Sequence, residues 1–190
     1  MTHRNSEILF TDSVQKAQAR YGSHEPMERL KQHGPANDTL TEAERDFIQA
    51  RDGFYLATVS ESGWPYIQFR GGPAGFVRVL DEKTLGYADF RGNRQYISTG
   101  NLAHDDRASL FFMDYAHRTR LKLLGHARVI DAREQPDLAA RLAVPGYPAR
   151  VERAVLITVE SYDWNCHQHI TPRYTEAEIA GMKTDGGGVS

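Results

Sequence analysis

The chain of 190 residues contains a single cysteine, Cys166, so it cannot form an intramolecular disulfide. It also lacks any apolar run near the roughly 18 residues that a membrane-spanning helix needs. Its first ten residues, MTHRNSEILF, have neither the basic start nor the long apolar core of a signal peptide. These absences predict a soluble cytoplasmic protein that makes no membrane contact.

Positive and negative side chains are also nearly equal in number. The formal net charge at pH 7 is −2, so no overall field attracts nucleic acid. Any anion site must therefore be a local cluster of cations. A chain of this length suits one domain with an appendage, and we expect a helical N-terminal extension over 1–50, a main domain over 51–175 and a C-terminal tail over 176–190.

The first 50 residues carry helical patterns. VQKAQARYG and MERLKQHG each predict a short helix that ends at glycine. In TLTEAERDFIQAR, Thr41 followed three residues later by Glu44 is a capping-box pattern. Leu40, Phe47 and Ile48 supply an apolar edge for this third helix.

From Phe54 the pattern changes to that of β-strands. FYLATVS and WPYIQFR predict one antiparallel hairpin, and GFVRVL and LGYADF predict a second. Three more strands are predicted in RASLFFMDY, TRLKLLGHARVID and VERAVLITVESYDW, and short helices in RQYISTGNLAH, EQPDLAARLA and TPRYTEAEIAGM. Six or seven short strands with tight turns favour an antiparallel β-barrel or sandwich with flanking helices.

Alternation along a strand divides its side chains between two faces. In WPYIQFR, Ile67 and Phe69 share one face, and Tyr66, Gln68 and Arg70 share the other. We expect Ile67 and Phe69 to face the core, which would leave Arg70 pointing outward.

Arginines beside glycine turns are the most informative feature of the sequence. Arg70 precedes GGPAG, and Arg91 and Arg94 flank Gly92-Asn93 in YADFRGNRQY, where a helix is predicted to begin. Arginine donates in a planar, bidentate manner that suits phosphate, and a helix N-terminus favours anions. The same turns are also typical of solvated surface loops, so the pattern alone allows either a phosphate site or an ordinary loop.

The stretches GFYLATVSESGWPYIQFRGGPAGF, TLGYADFRGNRQY and RLKLLGHARVID, in that order, resemble the pyridoxamine 5′-phosphate oxidase-like, FMN-binding split-barrel family. The resemblance covers roughly residues 45–175. It implies an antiparallel split β-barrel of six or seven strands. It also implies a homodimer with FMN at the subunit interface.

The resemblance also implies a set of cofactor contacts at strand ends and turns. By position these are Gln68, Arg70 and Gly71 for the phosphate and ring, Tyr87 and Ala88 along the flavin, Asn93 and Arg94 for the phosphate, Arg120 for the FMN of the other subunit, and Trp164 or Asn165 at the late tryptophan of the family.

The implied activity is that of an FMN-dependent oxidoreductase acting on a small molecule or a reduced nicotinamide. No catalytic side chain is assigned, because FMN carries the redox chemistry. The chain departs from true pyridoxamine phosphate oxidases in lacking their Arg-x-His ending. The alternative is a non-catalytic flavin- or haem-binding module on the same fold, with an axial ligand drawn from His104, His117, His126, His167 and His169.

The segment NCHQHITPRY contains Cys166, His167 and His169, which are potential metal ligands. Their spacing is too compact for a closed four-ligand site, so we predict no metal. These three residues could instead lie beside the substrate or flavin, or could simply pack at the surface or at an interface.

The strand RASLFFMDY is apolar on both faces, with Leu110 and Phe112 on one and Phe111, Met113 and Tyr115 on the other. One face can pack the core while the other meets a second subunit. The pattern therefore favours a homodimer, and coverage of the outer face by the N-terminal helices is the alternative.

Overall fold

The computed structural model describes residues 2–164 and 167–185. Its helices are α1 (Arg4–Leu9), α2 (Asp12–Tyr21), α3 (His24–His33), α4 (Glu42–Gln49), α5 (Ile97–His104), α6 (Pro136–Leu142) and α7 (Glu176–Asp185). Its strands are β1 (Gly53–Val59), β2 (Pro65–Gly71), β3 (Val77–Val79), β4 (Thr84–Phe90), β5 (Arg107–Asp114), β6 (Thr119–Asp131) and β7 (Val151–Trp164). Each predicted helix and strand is present, and α1 is an addition that the sequence analysis missed.

The strands form one antiparallel sheet in the order β2-β1-β5-β6-β7-β4-β3. The two predicted hairpins are the pairs β1–β2 and β3–β4. Gly63, in the β1–β2 turn, has a φ of 85°, a left-handed conformation that glycine adopts without steric cost. Local turn chemistry therefore produces the hairpins, and the predicted mainly antiparallel architecture is confirmed.

Aromatic side chains fill the barrel core. Phe54 stacks on Phe112 with ring centroids 5.0 Å apart and meets Tyr87 edge-on at 5.4 Å. Leu110 and Phe112 of β5 are fully buried, whereas Phe111 and Met113 on the opposite face are only half-buried. The alternation of β5 therefore separates the core from an apolar outer face.

The inward face of β2 is opposite to the one expected. Ile67 and Phe69 are 63% and 57% exposed, while Tyr66, Gln68 and Arg70 are half-buried. Strand alternation defines two faces but does not say which one the rest of the fold will cover. Here the polar face meets other parts of the fold: Ser98 Oγ of α5 donates to Gln68 Oε1 at 3.3 Å, and Arg70 Nη1 donates to Asp89 Oδ1 at 3.1 Å.

The third predicted N-terminal helix, α4, begins with the expected capping box. The backbone N–H of Thr41 donates to Glu44 Oε2 at 2.9 Å. Leu40 and Ile48 are buried in the core, with Phe47 packed against it. The cap and the apolar edge therefore orient this helix on the barrel.

The residues before α4 attach to β7 through buried polar groups. The backbone N–H of Tyr162 donates to the carbonyl of Asn37 at 2.7 Å, and Asn37 Nδ2 donates back to the carbonyl of Tyr162. Asn5 Nδ2 donates to Ser161 Oγ at 3.3 Å. The segment that contains α1 is thus docked on the barrel by specific hydrogen bonds.

None of the helices in 2–164 or 167–185 combines the length and apolar character needed to cross a bilayer.

Candidate functional site

A polar cleft opens where β2, β4 and β7 meet the loop before α5. We call it the polar cleft, and it is lined chiefly by Gln68, Arg70, Asp89, Arg153 and the segment 92–99. The cleft is open to solvent on one side, and the space inside it is about 50 Å³. This space suits a small anionic group.

A buried carboxylate organises two of the cations. Asp89 is 5% exposed. It accepts from Arg70 Nη1 at 3.1 Å and from Arg153 Nε at 2.7 Å. The cross-strand register places Asp89 of β4 opposite Arg153 of β7. Charge-assisted bonds of this kind are the stronger hydrogen bonds of proteins, so the two guanidiniums are held in fixed positions.

The loop before α5 carries unusual backbone conformations. Arg94 and Tyr96 have φ values of 63° and 55°, in the left-handed region that residues with a side chain rarely adopt. Each costs of order 1–3 kcal/mol and persists only where the surroundings enforce it. Asn93 Oδ1 accepts from the backbone N–H of Gln95 at 3.1 Å, which stabilises the turn.

Tyr96 connects the loop to the arginines. Its ring lies under the guanidinium of Arg153, 4.9 Å from the centroid, and Arg94 Nε donates to its hydroxyl at 3.4 Å. Burial lowers the pKa of Arg153, but the hydrogen bond and charge of Asp89 outweigh it and raise that pKa above the ordinary value. Arg153 is therefore a permanent cation in the cleft.

Four of the predicted cofactor residues meet in the polar cleft, namely Gln68, Arg70, Asn93 and Arg94. Arg91 lies outside the lining and pairs with Glu152 at 3.7 Å. The two arginine turns that are separate in sequence therefore do converge.

Tyr87 and Ala88, which the resemblance places along the flavin, do not direct their side chains into the cleft. Tyr87 is buried in the main core, where burial raises the pKa of its hydroxyl. Ala88 belongs to a second apolar cluster, with Ile130, Leu142 and Ala154. Both side chains are covered on their own faces of β4, so only their backbone can approach a ligand.

Gly71 and Trp164 also lie away from the polar cleft. A Cβ on Gly71 would lie 2.8 Å from the ring of Phe69, so this glycine makes room for that ring on the outer face. Trp164 Nε1 donates to Glu44 Oε1 at 2.7 Å, and its ring packs edge-on against Phe47. Asn165 lies outside the described residues.

Arg120 lies on the other side of the sheet, in a groove on the outer face of β1, β5 and β6. This outer groove has a volume of about 620 Å³ and is lined mainly by Tyr55, Ile67, Phe111, Met113, Tyr115, Arg120 and Arg173. Arg120 Nε is buried without a hydrogen-bond partner among the described residues. The guanidinium of Arg173 lies 4.8 Å from the ring centroid of Tyr115.

The segment that carries the predicted metal-ligand candidates is only partly described, since Cys166 is outside the described residues. His167 Nδ1 lies 2.9 Å from the carbonyl of Arg118, and His169 lines the outer groove. Within 2–164 and 167–185, no three histidine, cysteine or acidic side chains come together as a metal site.

Sequence reasoning missed Asp89, Tyr96 and Arg153. A charged residue within an otherwise apolar strand, as in YADF and VERAV, is the signal that could have identified two of them, because a half-buried charge needs a partner. The pairing itself depends on β4 lying beside β7, which no local pattern shows.

Comparison with known proteins identifies the family. A family model described as pyridoxamine 5′-phosphate oxidase matches residues 40–162. HupZ from Group A Streptococcus is 19% identical, with a TM-score of 0.54 over 71% of this chain and 99% of that chain. A candidate pyridoxamine 5′-phosphate oxidase from Lactobacillus delbrueckii is 23% identical, with a TM-score of 0.51 over 66% and 94%.

A conserved hypothetical protein from Mycobacterium tuberculosis is 18% identical, with a TM-score of 0.50 over 74% of this chain and 94% of that chain. No curated protein sequence matches the chain. At these identities the solved structures share the split-barrel fold with this chain.

Proposed function

The chain belongs to the pyridoxamine 5′-phosphate oxidase family, and from this premise we propose that it is an FMN-binding oxidoreductase. The observation that carries the proposal is the convergence of Arg70, Arg94 and Arg153 on one polar cleft beside the N-terminal turn of α5. The net charge of the whole chain is −2, so this cluster is a local feature. Three guanidiniums around a phosphate-sized space suit a phosphate monoester.

The residues of the polar cleft fit the phosphate end of FMN. Arg70 Nε is buried and has no hydrogen-bond partner among the described residues, and a phosphate oxygen would satisfy it. Gln68 adds an amide beside the arginines. Because the cleft is small and open on one side, the ring would lie outside it, over the end of β2.

A second copy of the chain would cover that ring. The outer face carries half-buried Phe111 and Met113 and largely exposed Ile67, an apolar area of the kind that marks subunit contacts. A two-fold dimer would bring the outer groove of one protomer to the polar cleft of its partner. Arg120, whose Nε lacks a partner among the described residues, would then reach the cofactor of the other subunit.

FMN, when bound, would supply the hydride or electron transfer. The chain's own residues would hold the phosphate, orient the ring and exclude water from its inner face. The groove volume of about 620 Å³ falls in the range of small-molecule sites, which leaves room for a small substrate or a reduced nicotinamide.

The absorption spectrum of the purified full-length protein tests this proposal. We expect a bound flavin spectrum, stoichiometric uptake of added FMN and bleaching by anaerobic NADH or NADPH. Failure to bind FMN in excess would rule out the cofactor. Binding without reduction by either nicotinamide would remove the nicotinamide as electron donor.

A second candidate, a haem-binding module, has one observation in its favour. His126 Nδ1 lies 2.8 Å from Asp106 Oδ1, the carboxylate–histidine arrangement that commonly orients a metal-ligating Nε2. The ring borders a separate cavity of about 600 Å³ that is also lined by Leu9 and Val59. A Soret band after haem addition that is lost in His126→Ala, together with no FMN uptake, would favour this candidate.

A further inference from the structure

Arg153 is a cationic cleft residue that the family resemblance did not assign. Its side chain lines the polar cleft and is 16% exposed. Nε donates to Asp89 Oδ2 at 2.7 Å, Nη1 lies 3.2 Å from Glu152 Oε2, and the guanidinium stacks over the ring of Tyr96. These contacts hold the guanidinium in place before any ligand arrives, which reduces the entropy lost on binding.

A β-bulge directs this side chain into the cleft. Asp89 pairs with Arg153 and Phe90 pairs with Val151, so Glu152 is the extra residue on β7. A bulge bends the strand and re-aims its side chains, and bulges are frequent beside functional sites. Consecutive residues of a regular strand point to opposite faces, whereas here Glu152 and Arg153 contact each other.

The local charges do not balance. Three guanidiniums line the cleft against one carboxylate, namely Arg70, Arg94 and Arg153 against Asp89. The surplus of about two positive charges matches the charge of a phosphate monoester near neutral pH.

Asp89 is shared between two arginines. Its carboxylate is 6% exposed, the side chains of Arg70 and Arg153 are 19% and 16% exposed, and all three residues line the cleft. One acid thus orients two cations toward the same space. Arg70 Nε has no partner among the described residues, which leaves a donor for a ligand oxygen.

We propose that Arg153 binds the phosphate of the cofactor directly and that Asp89 is a positioning residue that aims Arg70 and Arg153 at it. This inference rests on the proposed FMN site and deepens it. It means that Arg153, a residue of β7, helps the protein to bind FMN more tightly than riboflavin. Riboflavin carries the same ring and lacks the phosphate, so the ratio of the two dissociation constants isolates contacts to the phosphate.

The test is a titration of the full-length protein with FMN and with riboflavin. In Arg153→Gln we expect the affinity for FMN to fall about ten- to 150-fold, the effect of one lost charge-assisted contact, with riboflavin affinity unchanged. Arg91→Gln is the matched control. It removes a guanidinium that is 44% exposed and outside the cleft lining. The ratio of the dissociation constants for FMN and riboflavin should therefore stay at the wild-type value.

Wild-type protein that binds neither flavin would overturn the proposed function. Wild-type protein that prefers FMN, combined with an Arg153→Gln variant that keeps the same preference, would overturn this inference alone. Equal loss of both flavins in that variant would mean that Arg153 has only a structural role, which also overturns it.

Two measurements keep the inference testable where Arg153→Gln does not fold. Arg153→Lys keeps the charge, but one ammonium cannot donate two parallel hydrogen bonds as a guanidinium does. We therefore expect its ratio of FMN to riboflavin affinity to lie between those of the wild type and Arg153→Gln. In a crystal structure of the wild-type protein with FMN, a guanidinium nitrogen of Arg153 should lie within about 3.2 Å of a phosphate oxygen. A phosphate bound elsewhere would overturn the assignment.

Discussion

At the residue scale, Arg94 offers the most direct test of the cofactor site. Arginine and alanine both carry a Cβ, so Arg94→Ala leaves the strain of its φ of 63° unchanged. It removes the cation and the long, exposed hydrogen bond to the Tyr96 hydroxyl. The side chain is on the surface of the loop, so the melting temperature should change little. The affinity for FMN should fall about ten- to 150-fold, as measured by fluorescence titration.

Arg91→Ala is the control for this measurement, because Arg91 pairs with Glu152 and does not line the cleft. Its affinity for FMN should stay close to that of the wild type. Equal losses in the two variants would mean that the loop presents its arginines to the phosphate in a different register.

Glu44 links stability to pH. Burial raises its pKa, but the hydrogen bonds from Thr41 and Trp164 outweigh burial and hold the pKa below its ordinary value of 4.5. A depressed folded-state pKa stabilises the protein above the ordinary pKa, and this contribution is lost as the pH falls through the folded value. Glu44→Gln should therefore destabilise the protein most near neutral pH.

The measurement is urea unfolding of wild type and Glu44→Gln at about pH 7, 5 and 3.5, with the difference in unfolding free energy shrinking below about pH 4.5. Glu42→Gln is the matched control in the first turn of the same helix, since Glu42 is exposed. A difference that grows toward low pH would contradict the assigned sign.

At the scale of elements, Asn37 attaches α1 and its flanking residues to β7. Its Nδ2 donates to the carbonyl of Tyr162, and its Oδ1 accepts from the backbone N–H of Asn5 at 3.3 Å. Asn37→Ala leaves both backbone groups without that partner. We expect a loss of about 1–3 kcal/mol in unfolding free energy and faster hydrogen exchange in α1.

Gln32→Ala is a suitable comparison, because Gln32 makes its side-chain hydrogen bond to Glu28 on the exposed surface of α3. It should change the unfolding free energy by no more than about 0.5 kcal/mol. If Asn37→Ala matches this control, the polar contacts of Asn37 do not hold the N-terminal segment on the barrel.

At the scale of the whole molecule, the apolar outer face predicts a homodimer whose assembly is needed to retain FMN. Ile67 is 63% exposed and lines the outer groove, so Ile67→Asp places a charge on the face proposed to meet its copy. We expect light scattering to shift toward the monomer mass and FMN to be lost on gel filtration, with little change in secondary structure.

Tyr21→Asp is the control for surface charge, since Tyr21 is 78% exposed on α2, outside the outer groove. It should leave both the mass and FMN retention unchanged. A wild-type monomer that keeps stoichiometric FMN would contradict both the dimer and the role proposed for Arg120.

Local features of the sequence predicted every helix and strand of the described residues except α1. The capping box of Thr41 and Glu44, the glycine turns and the two hairpins depend on residues that are near one another in the chain, so their patterns predict them directly. Four cofactor candidates that meet in the polar cleft, Gln68, Arg70, Asn93 and Arg94, were likewise identified before the fold was known.

Only the tertiary structure decided which faces these elements present. Ile67 and Phe69 turn outward because the polar face of β2 bonds to Ser98 of α5 and Asp89 of β4. Alternation alone cannot choose between the two faces. Arg153 joins Asp89 because β7 pairs with β4 across a long stretch of sequence. The sequence determined the elements through short-range interactions, whereas the site depends on long-range strand pairing that no local pattern encodes.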